Sequence, residues 1–394
     1  MDPLSALLSF SASEKLERGI LYTPREIAQQ PDTWEGTFAE MKRRQAELQE
    51  FLTRAGVRGE VAARPTVFLI GAGTSDYIGH SLHPLLRRMW QCEVIPVSST
   101  NLLVDFADHV LTDRNYLWIS FSRSGDSPEG VAVLERALAE CPKVRHVLVT
   151  CNRAGQMARA IEGRHDALAV VLDDAINDRG LAMTSSFTNM VLSGQILAHA
   201  WTLNEYEPIL RALCDAGRSF LPRAAALASD FAAEGFSRAC FVGSGGLTGA
   251  AMECALKLLE LTAGKVQTMS QATLALRHGP MASLDRNTLF VSLVSGQTQR
   301  RRYEMDLLDE IGRKGIVRSR VAVTTADPEA LRGSAEHVLA PETPGTIPDA
   351  YRPMLDVMFG QLLGLFASLH FRLKPDSPSP DGVISRVVQN VGIY

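Results

Sequence analysis

A segment around residue 257 carries acidic and basic side chains at helical spacing. The stretch Cys254-Ala-Leu-Lys-Leu-Leu-Glu-Leu261 contains good helix formers and no proline, and Gly264 is a plausible stop for the helix. Successive helix residues turn by about 100°, so Glu253, Lys257 and Glu260 share one face about 60° wide. A carboxylate beside a lysine in an apolar wall can act as a base in proton transfer. The alternative is a half-exposed helix with a structural ion pair.

A histidine follows this helix in a predicted loop. Arg277-His278-Gly279-Pro280 contains a glycine and a proline, which favour a loop over a helix. A single histidine is more often structural than catalytic, so its type and position alone leave both interpretations open.

A second group of polar residues could bind phosphate. Ser122-Arg-Ser-Gly-Asp-Ser127 combines three hydroxyls with the backbone N–H groups of a predicted helix start, and Arg123 could add positive charge. The alternative is a serine-rich helix cap. Another turn, Gly71-Ala-Gly-Thr-Ser75, also follows a predicted strand and opens a helix. It lacks the third glycine and the acidic partner of a dinucleotide fingerprint, and no Gly-Lys-Ser/Thr of a Walker loop follows it.

Both loops follow short apolar strands that alternate with helices. A helix is predicted at about Asp76 to Trp90, and the predicted strands of the first half are Val67–Ile70, Val94–Val97, Asn115–Phe121, Val144–Thr150 and Ala167–Leu172. This alternation predicts a parallel sheet with helices on both faces. Ligands of such sheets bind at the carboxyl ends of the strands, where these loops lie.

The second half of the chain repeats the pattern of the first. The predicted strands and turns Ala239–Gly246 and Leu289–Gly296 match their counterparts at an almost constant offset of 171 to 172 residues, and Arg320–Thr325 matches Arg145–Thr150. We interpret this as two copies of one α/β unit, joined near residue 215 after a long helix from Thr184 to Leu203. The second copy reads Val-Ser-Gly-Gln where the first has the serine cluster. We therefore expect one copy to bind the phosphate and the other to support the binding copy.

The flanking segments complete the predicted organisation. Residues 1–56 read as helical, with apolar residues at helical spacing from Asp32 to Leu52 and a break between helices at Pro31. The predicted limits are an N-terminal helical arm at 1–44, a first domain at 45–214, a second domain at 215–374 and a turn-rich tail at 375–394.

Composition narrows the class of protein. The 394 residues are 46% hydrophobic and 21% charged with a net charge of −4, which predicts a soluble two-domain protein without a nucleic-acid-binding surface. Six scattered cysteines predict reduced thiols rather than disulfides or a zinc site. The first residues do not resemble a signal peptide, and no apolar run reaches transmembrane length. We therefore expect a cytoplasmic protein that binds neither nucleic acid nor membrane.

These motifs resemble those of the sugar isomerase (SIS) superfamily over nearly the whole chain. The motifs are the tandem repeat, Ser-x-Ser-Gly-x-Ser at 122–127, Glu-Ile-x-x-Gln-Pro at 26–31, Ala-Leu-Lys-x-x-Glu at 255–260 and His-Gly-Pro at 278–280. The chain is similar to the isomerase half of glucosamine-6-phosphate synthase without its glutamine-hydrolysing domain. The segments 178–188, 258–265 and 380–389 resemble more closely the AgaS group, described as galactosamine-6-phosphate deaminase/isomerase and formerly as tagatose-6-phosphate ketose/aldose isomerase. The resemblance implies an α/β fold of two tandem SIS domains, each a flavodoxin-like three-layer αβα sandwich.

The resemblance also implies roles for individual residues. Glu260 falls on the carboxylate that moves a proton between C1 and C2 of the sugar, and Lys257 falls on a lysine beside it. His278 falls on the histidine that helps open the sugar ring, which in the synthase comes from the neighbouring subunit. The positions on the sugar-phosphate loops are Gly73, Thr74, Ser75, Ser122, Arg123, Ser124 and Ser127, and those near a sugar-contacting loop are Thr184 and Ser185. This chemistry needs no metal and no organic cofactor, and the expected assembly is a homodimer or a dimer of dimers with shared active sites.

Two departures from the AgaS pattern leave the substrate open. Met281 follows His-Gly-Pro where close AgaS relatives have a lysine, and the segment from Ser270 to Leu276 is atypical. The implied reaction converts galactosamine 6-phosphate into tagatose 6-phosphate and ammonia. The alternatives are deamination of glucosamine 6-phosphate and isomerisation of a neutral sugar phosphate. A non-catalytic sugar-phosphate regulator would predict a DNA-binding helix-turn-helix or loss of the acid–base pair, and the sequence indicates neither.

Overall fold

The computed structural model describes residues 1–342, 347–379, 381–388 and 391–394, so Pro380 and Gln389, at the two ends of the tail motif, lie outside the described residues. Contacts divide the chain into two units. The first-sheet unit comprises residues 33–177, 185–207 and 385–394, and the second-sheet unit comprises residues 1–32, 178–184 and 208–384. These units are defined by contacts, so the sequential domain limits given above stay a prediction.

Helices and strands alternate along both halves, as the sequence predicts. The α-helices are α1 (Pro3–Ser9), α2 (Ala12–Arg18), α3 (Thr23–Ala28), α4 (Gln30–Arg43), α5 (Gln45–Arg54), α6 (Thr74–Trp90), α7 (Ser99–Val104), α8 (Phe106–His109), α9 (Pro128–Glu140), α10 (Gln156–Ala160), α11 (Ser185–Ala198), α12 (Leu203–Glu234), α13 (Gly246–Leu261), α14 (Thr298–Lys314) and α15 (Pro353–His370). The strands are β1 (Thr66–Gly71), β2 (Val94–Ser98), β3 (Tyr116–Ser122), β4 (Val144–Thr150), β5 (Ala167–Val171), β6 (Arg238–Gly243), β7 (Gln267–Ala272), β8 (Thr288–Val294), β9 (Ser319–Thr324) and β10 (His337–Leu339).

The first sheet is parallel, with the strand order β2-β1-β3-β4-β5. β3 is buried along its whole length, and its side chains Tyr116 and Trp118 pack with Phe68 of β1 and Phe106 in one apolar cluster. The order is that of flavodoxin-like folds, in which ligands bind between the first and third strands, where the direction of chain progression reverses. The glycine turn at Gly73 follows β1 and the serine loop follows β3, so both loops lie at this point.

The second sheet repeats the order of the first, as β7-β6-β8-β9-β10, with all strand pairs parallel. This confirms the predicted α/β repeat. The sequence analysis missed β7 and β10. β7 lies at a sheet edge with half-exposed polar side chains, and it therefore lacks the apolar run by which a central strand is recognised.

Two predicted helices have different limits in the structure. The helix expected from Thr184 to Leu203 ends at Ala198, and the expected join near residue 215 lies inside the 32-residue helix α12. Its residues around position 215, such as Leu213 and Ala216, are good helix formers that are also buried, so the helix continues through the expected join. The helix expected over residues 32–52 is divided at Arg44 into α4 and α5.

Candidate active site

The acid–base stripe, which consists of Glu253, Lys257 and Glu260 on one predicted helix face, is present on α13. The Nζ atom of Lys257 lies 3.3 Å from Oε1 of Glu253 and 2.5 Å from Oε2 of Glu260. Lys257 and Glu253 are fully buried, whereas the side chain of Glu260 keeps 32% of its surface exposed. Glu260 is therefore the residue of the stripe that can contact a substrate, whereas Lys257 and Glu253 form a buried ion pair.

Close packing of α15 on α13 buries this lysine. A Cβ atom at Gly360 would lie 2.6 Å from Sγ of Cys254, and one at Gly364 would lie 3.0 Å from the carbonyl oxygen of Lys257. The two glycines thus allow the helix backbones to approach closely. Burial lowers the pKa of Lys257, but the carboxylates of Glu253 and Glu260 outweigh burial, and the pKa of the ammonium is raised overall. Lys257 is therefore a permanent cation between two carboxylates.

His278 lies on an exposed loop of the second-sheet unit. It follows the 3₁₀ turn Thr273–Arg277, and Gly279 takes a φ of 125° before the next 3₁₀ turn, Pro280–Ser283. Arg277 anchors the loop to α14 through ion pairs of 2.7 Å with Asp306 and Glu310. The imidazole of His278 is exposed. Within the part of the chain that the structure describes, no hydrogen bond or ion pair joins His278 to Glu260.

The neighbouring Met281 is partly buried against the apolar cluster of the second sheet, which also includes Leu276. Its placement explains why an apolar residue is stable at this position.

The serine loop after β3 is shaped by its own hydroxyls. Oγ of Ser122 accepts a hydrogen bond from the Gly125 N–H at 3.1 Å, and Oγ of Ser124 accepts one from the Asp126 N–H at 3.2 Å. Ser127 is the N-cap of α9, but its hydroxyl makes no capping hydrogen bond. The loop thus presents a helix N-terminus and a hydroxyl that the helix itself does not use, an arrangement suited to a phosphate.

The glycine turn after β1 lies beside this loop, because β1 and β3 are neighbours in the first sheet. Gly73 takes a φ of 55° and precedes Thr74 and Ser75, which begin α6 and are buried. A second helix N-terminus therefore opens at the same edge of the sheet.

Arg123 is buried, and its guanidinium donates a hydrogen bond of 3.1 Å to the carbonyl oxygen of Arg386 in the C-terminal tail. At least one N–H group of its guanidinium is therefore hydrogen-bonded to the tail. The contact of Arg123 with phosphate stays a prediction.

Thr184 and Ser185 are fully buried. Asp178 accepts hydrogen bonds from the Thr184 N–H at 2.8 Å and from its hydroxyl at 3.0 Å. The carbonyl oxygen of Ser185 accepts one from Asn189 at 2.8 Å. The predicted contacts of these two residues with the sugar are not tested by this geometry. Asp178, which shapes the segment, was not among the residues predicted to be functional.

Comparison with known proteins places the chain in a family. A scan against models of protein families gives no match. The D-galactosamine-6-phosphate deaminase AgaS of Escherichia coli O157:H7 is 34% identical to the chain over 374 residues, which cover 95% of each sequence. The chain belongs to the AgaS family.

Solved structures agree with this membership. The AgaS-family chain resembles the tagatose-6-phosphate ketose/aldose isomerase from Escherichia coli with a TM-score of 0.85 and 31% identity, covering 94% of this chain and 96% of that one. It resembles the C-terminal domain of glucosamine-fructose-6-phosphate aminotransferase from Francisella tularensis with a TM-score of 0.73 at 18% identity, covering 89% and 96% of the two chains. The latter similarity confirms the fold, which is the predicted pair of tandem SIS domains.

In the AgaS-family chain, the second copy of the serine loop contains Ser295 and Gly296. Carboxylates of the same chain accept the hydrogen bonds that this loop could donate to an anion. The Ser295 N–H donates to Glu304 at 2.6 Å, and the Gly296 N–H donates to Asp349 at 2.8 Å. Asp349 also accepts hydrogen bonds from the Ser295 hydroxyl and from Arg300. Donors that could hold an anion are therefore already used, which favours the first loop as the phosphate site of this family member.

Within the described ranges, no cluster of three or more His, Cys, Asp or Glu side chains could hold a metal ion. In the same ranges, no helix is long and apolar enough to cross a membrane. The six cysteines of the AgaS-family chain are free thiols.

Proposed function

We propose that this SIS-family enzyme converts galactosamine 6-phosphate and water into tagatose 6-phosphate and ammonia. The observation that carries the proposal is the partly exposed Glu260 carboxylate, held by the fully buried ammonium of Lys257 on a mostly buried helix. The relatives from Escherichia coli and Shewanella are named D-galactosamine-6-phosphate deaminases. An ion pair that served stability alone would not need one carboxylate at the surface.

The proposed reaction moves the C2 proton of the sugar to C1 before water enters. His278 transfers a proton that opens the ring, giving the C1 aldehyde with the amine on C2. Glu260 takes the proton from C2 while the C1 oxygen gains a proton, which forms an enolamine. Glu260 then returns its proton to C1 while the C2 nitrogen loses one, which leaves a ketimine at C2. Water adds to C2 and ammonia leaves, so one water is consumed and the product is a ketose 6-phosphate.

Lys257 acts in this scheme through Glu260. Its charged ammonium lies 2.5 Å from Oε2 of Glu260 and so holds in place the carboxylate that accepts the C2 proton. Glu253 balances the lysine from the buried side. The ammonium is fully buried, so Lys257 holds the base and does not itself need to reach the sugar.

The proposed substrate contacts follow from the loops. Gly73, Thr74, Ser75, Ser122, Arg123, Ser124 and Ser127 would hold the phosphate, and Thr184 and Ser185 would contact the sugar. We infer a homodimer or a dimer of dimers in which His278 serves the site of a neighbouring subunit, and the exposure of its imidazole is consistent with that. We also infer a cytoplasmic location, which fits the free thiols, and no nucleic-acid partner.

The test is ammonia release from a panel of hexosamine 6-phosphates. Galactosamine 6-phosphate should give ammonia and tagatose 6-phosphate with the highest kcat/KM, and glucosamine 6-phosphate should be slower. The name of the similar Escherichia coli structure favours a second candidate, ketose/aldose isomerisation of tagatose 6-phosphate. Interconversion of tagatose and galactose 6-phosphates, without ammonia from any amino sugar, would establish that alternative.

A further inference from the structure

The Glu-Ile-x-x-Gln-Pro motif has a structural partner that the sequence did not indicate. Glu26 and Gln30 lie four residues apart across the junction of α3 and α4, and both are buried. Gln29 between the two helices keeps helical angles of φ −75° and ψ −10°, so the two side chains share one face. Both are hydrogen-bonded, directly or through one residue, to the segment Asp178–Thr184 of the same unit.

Glu26 holds the beginning of this segment. Its carboxyl accepts hydrogen bonds from the N–H groups of Arg179 and Gly180. Gly180 fits tightly against α3, since a Cβ at that position would lie 2.9 Å from Oγ1 of Thr23 and 3.1 Å from Oε2 of Glu26. Any larger residue would push the segment away from the helix.

Gln30 holds the end of the segment through Gln361 of α15. Nε2 of Gln30 donates to Oε1 of Gln361 at 2.8 Å, and Nε2 of Gln361 donates to the Thr184 carbonyl oxygen at 3.4 Å. Asp178 closes the segment on itself by accepting from the Thr184 N–H and hydroxyl. The conformation of Thr184 is thus fixed from both sides by groups shielded from water.

We propose that Glu26 and Gln30 are positioning residues, which clamp the segment Asp178–Thr184 so that Thr184 and the following Ser185 are held for the amino sugar. The proposal rests on the proposed function, which gives Thr184 and Ser185 their contact with the sugar. Buried polar networks cost desolvation free energy, and this one places its hydrogen bonds on the segment that ends at Thr184, the first of the two proposed sugar contacts, and directly precedes Ser185, the second.

The protonation of Glu26 fits a clamp of this kind. Burial, together with the facing carboxylates of Asp178 and Asp376, raises the pKa of Glu26 to about 8. At neutral pH the protonated carboxyl can therefore lie beside Asp178 without repulsion between two anions. Glutamine is the matching neutral substitute, since its amide oxygen can accept from the Arg179 and Gly180 N–H groups.

The experiment compares Glu26→Ala, Glu26→Gln and Gln30→Ala with a control, Glu17→Ala, an exposed residue of α2. Hydrogen–deuterium exchange of the Arg179, Gly180 and Thr184 amides is measured together with steady-state ammonia release. For Glu26→Ala we expect amide exchange at residues 179 and 180 to speed up by tenfold or more. We also expect KM for galactosamine 6-phosphate to rise about tenfold with kcat changed less, the size expected for losing one or two hydrogen bonds. Glu26→Gln at pH 7 and Glu17→Ala should match the wild type in both readouts.

Three results would overturn the proposal. Wild-type exchange at residues 179 and 180 in Glu26→Ala would show that no clamp exists. Faster exchange with unchanged KM and kcat would show that the clamp does not serve the substrate. If Glu26→Ala does not fold, Gln30→Ala decides, and wild-type exchange at Thr184 with wild-type KM would refute the proposal. Failure of the proposed function can be distinguished from failure of the clamp. In that case the wild-type enzyme would release no ammonia, whereas amide exchange would still show whether the clamp exists.

Discussion

Lys257 and Glu260 form an ion pair of 2.5 Å in which the ammonium is fully buried and the carboxylate is partly exposed. Glu253 holds the same ammonium from within the core at 3.3 Å. One cation therefore serves a structural carboxylate on one side and the proposed base on the other. Lys257 therefore contributes both to stability and to the proposed reaction, and substitutions can separate these two contributions.

Removing the cation should destabilise the fold. Lys257→Met leaves Glu253 buried without its ion-pair partner, a change that costs about 3–5 kcal/mol. The double variant Glu253→Gln/Lys257→Met should recover part of that loss, since no buried carboxylate then lacks its cation. The measurement is urea unfolding. Lys42→Met is the control, because Lys42 pairs with Glu207 at the surface and should change stability by less than about 1 kcal/mol. Equal stabilities of Lys257→Met and wild type would contradict the buried pairing.

Glu26 should make stability depend on pH. Its pKa is raised to about 8 in the folded protein from an ordinary value of 4.5, so folding favours the protonated form. The stabilisation is complete below about pH 4.5 and is lost as pH rises toward 8. Glu26→Gln cannot ionise, and its urea midpoint should fall less than that of the wild type between pH 5 and pH 8. Parallel curves for the two proteins would refute the raised pKa, and Glu17→Gln controls for the loss of an acidic residue from the arm.

The two serine loops give a matched pair of substitutions. Ser124→Ala and Ser127→Ala in the first loop should raise KM for the sugar phosphate more than they lower kcat, because the phosphate is remote from the bonds that change. Ser295→Ala, in the second loop, should leave KM unchanged and lower stability, since its hydroxyl is bonded to Asp349. An unchanged KM for every single serine variant of the first loop would place the phosphate elsewhere.

Mixed subunits test where His278 acts. Glu260→Gln and His278→Ala should each be inactive alone, and hybrid dimers should regain part of the activity, because one of their two sites would combine an intact Glu260 with an intact His278 from the neighbour. Subunit exchange is confirmed separately with differently tagged chains. Exchange without regained activity would show that His278 serves its own chain.

The α/β repeat could be predicted because buried parallel strands are continuous apolar runs, as in β3 and β8. The stripe on α13 was predictable for a similar reason, since helical periodicity places Glu253, Lys257 and Glu260 together. β7 was missed because an edge strand of polar residues has no such signal. The join expected near residue 215 falls inside α12, which continues across it, and the domain limits stay a prediction.

Contacts between residues distant in sequence were beyond prediction. The hydrogen bonds of Glu26 to Arg179 and Gly180 join positions more than 150 residues apart. The hydrogen bond of Asp349 with the second serine loop could not be predicted either. No local pattern shows that an aspartate far along the chain will lie where an anion would otherwise bind. Periodicity reports which face of an element is buried, but it does not report which other element covers that face.

The most direct measurement is exchange of the C2 hydrogen of galactosamine 6-phosphate with deuterated water, followed by NMR. The wild type should incorporate deuterium at C1 or C2. Glu260→Gln keeps the size of the side chain and removes the base, so exchange and kcat should fall by about 10²–10⁴-fold while the variant stays folded and binds the sugar phosphate. Exchange by Glu260→Gln at the wild-type rate would contradict the assignment and leave Glu260 as the acid of a structural ion pair.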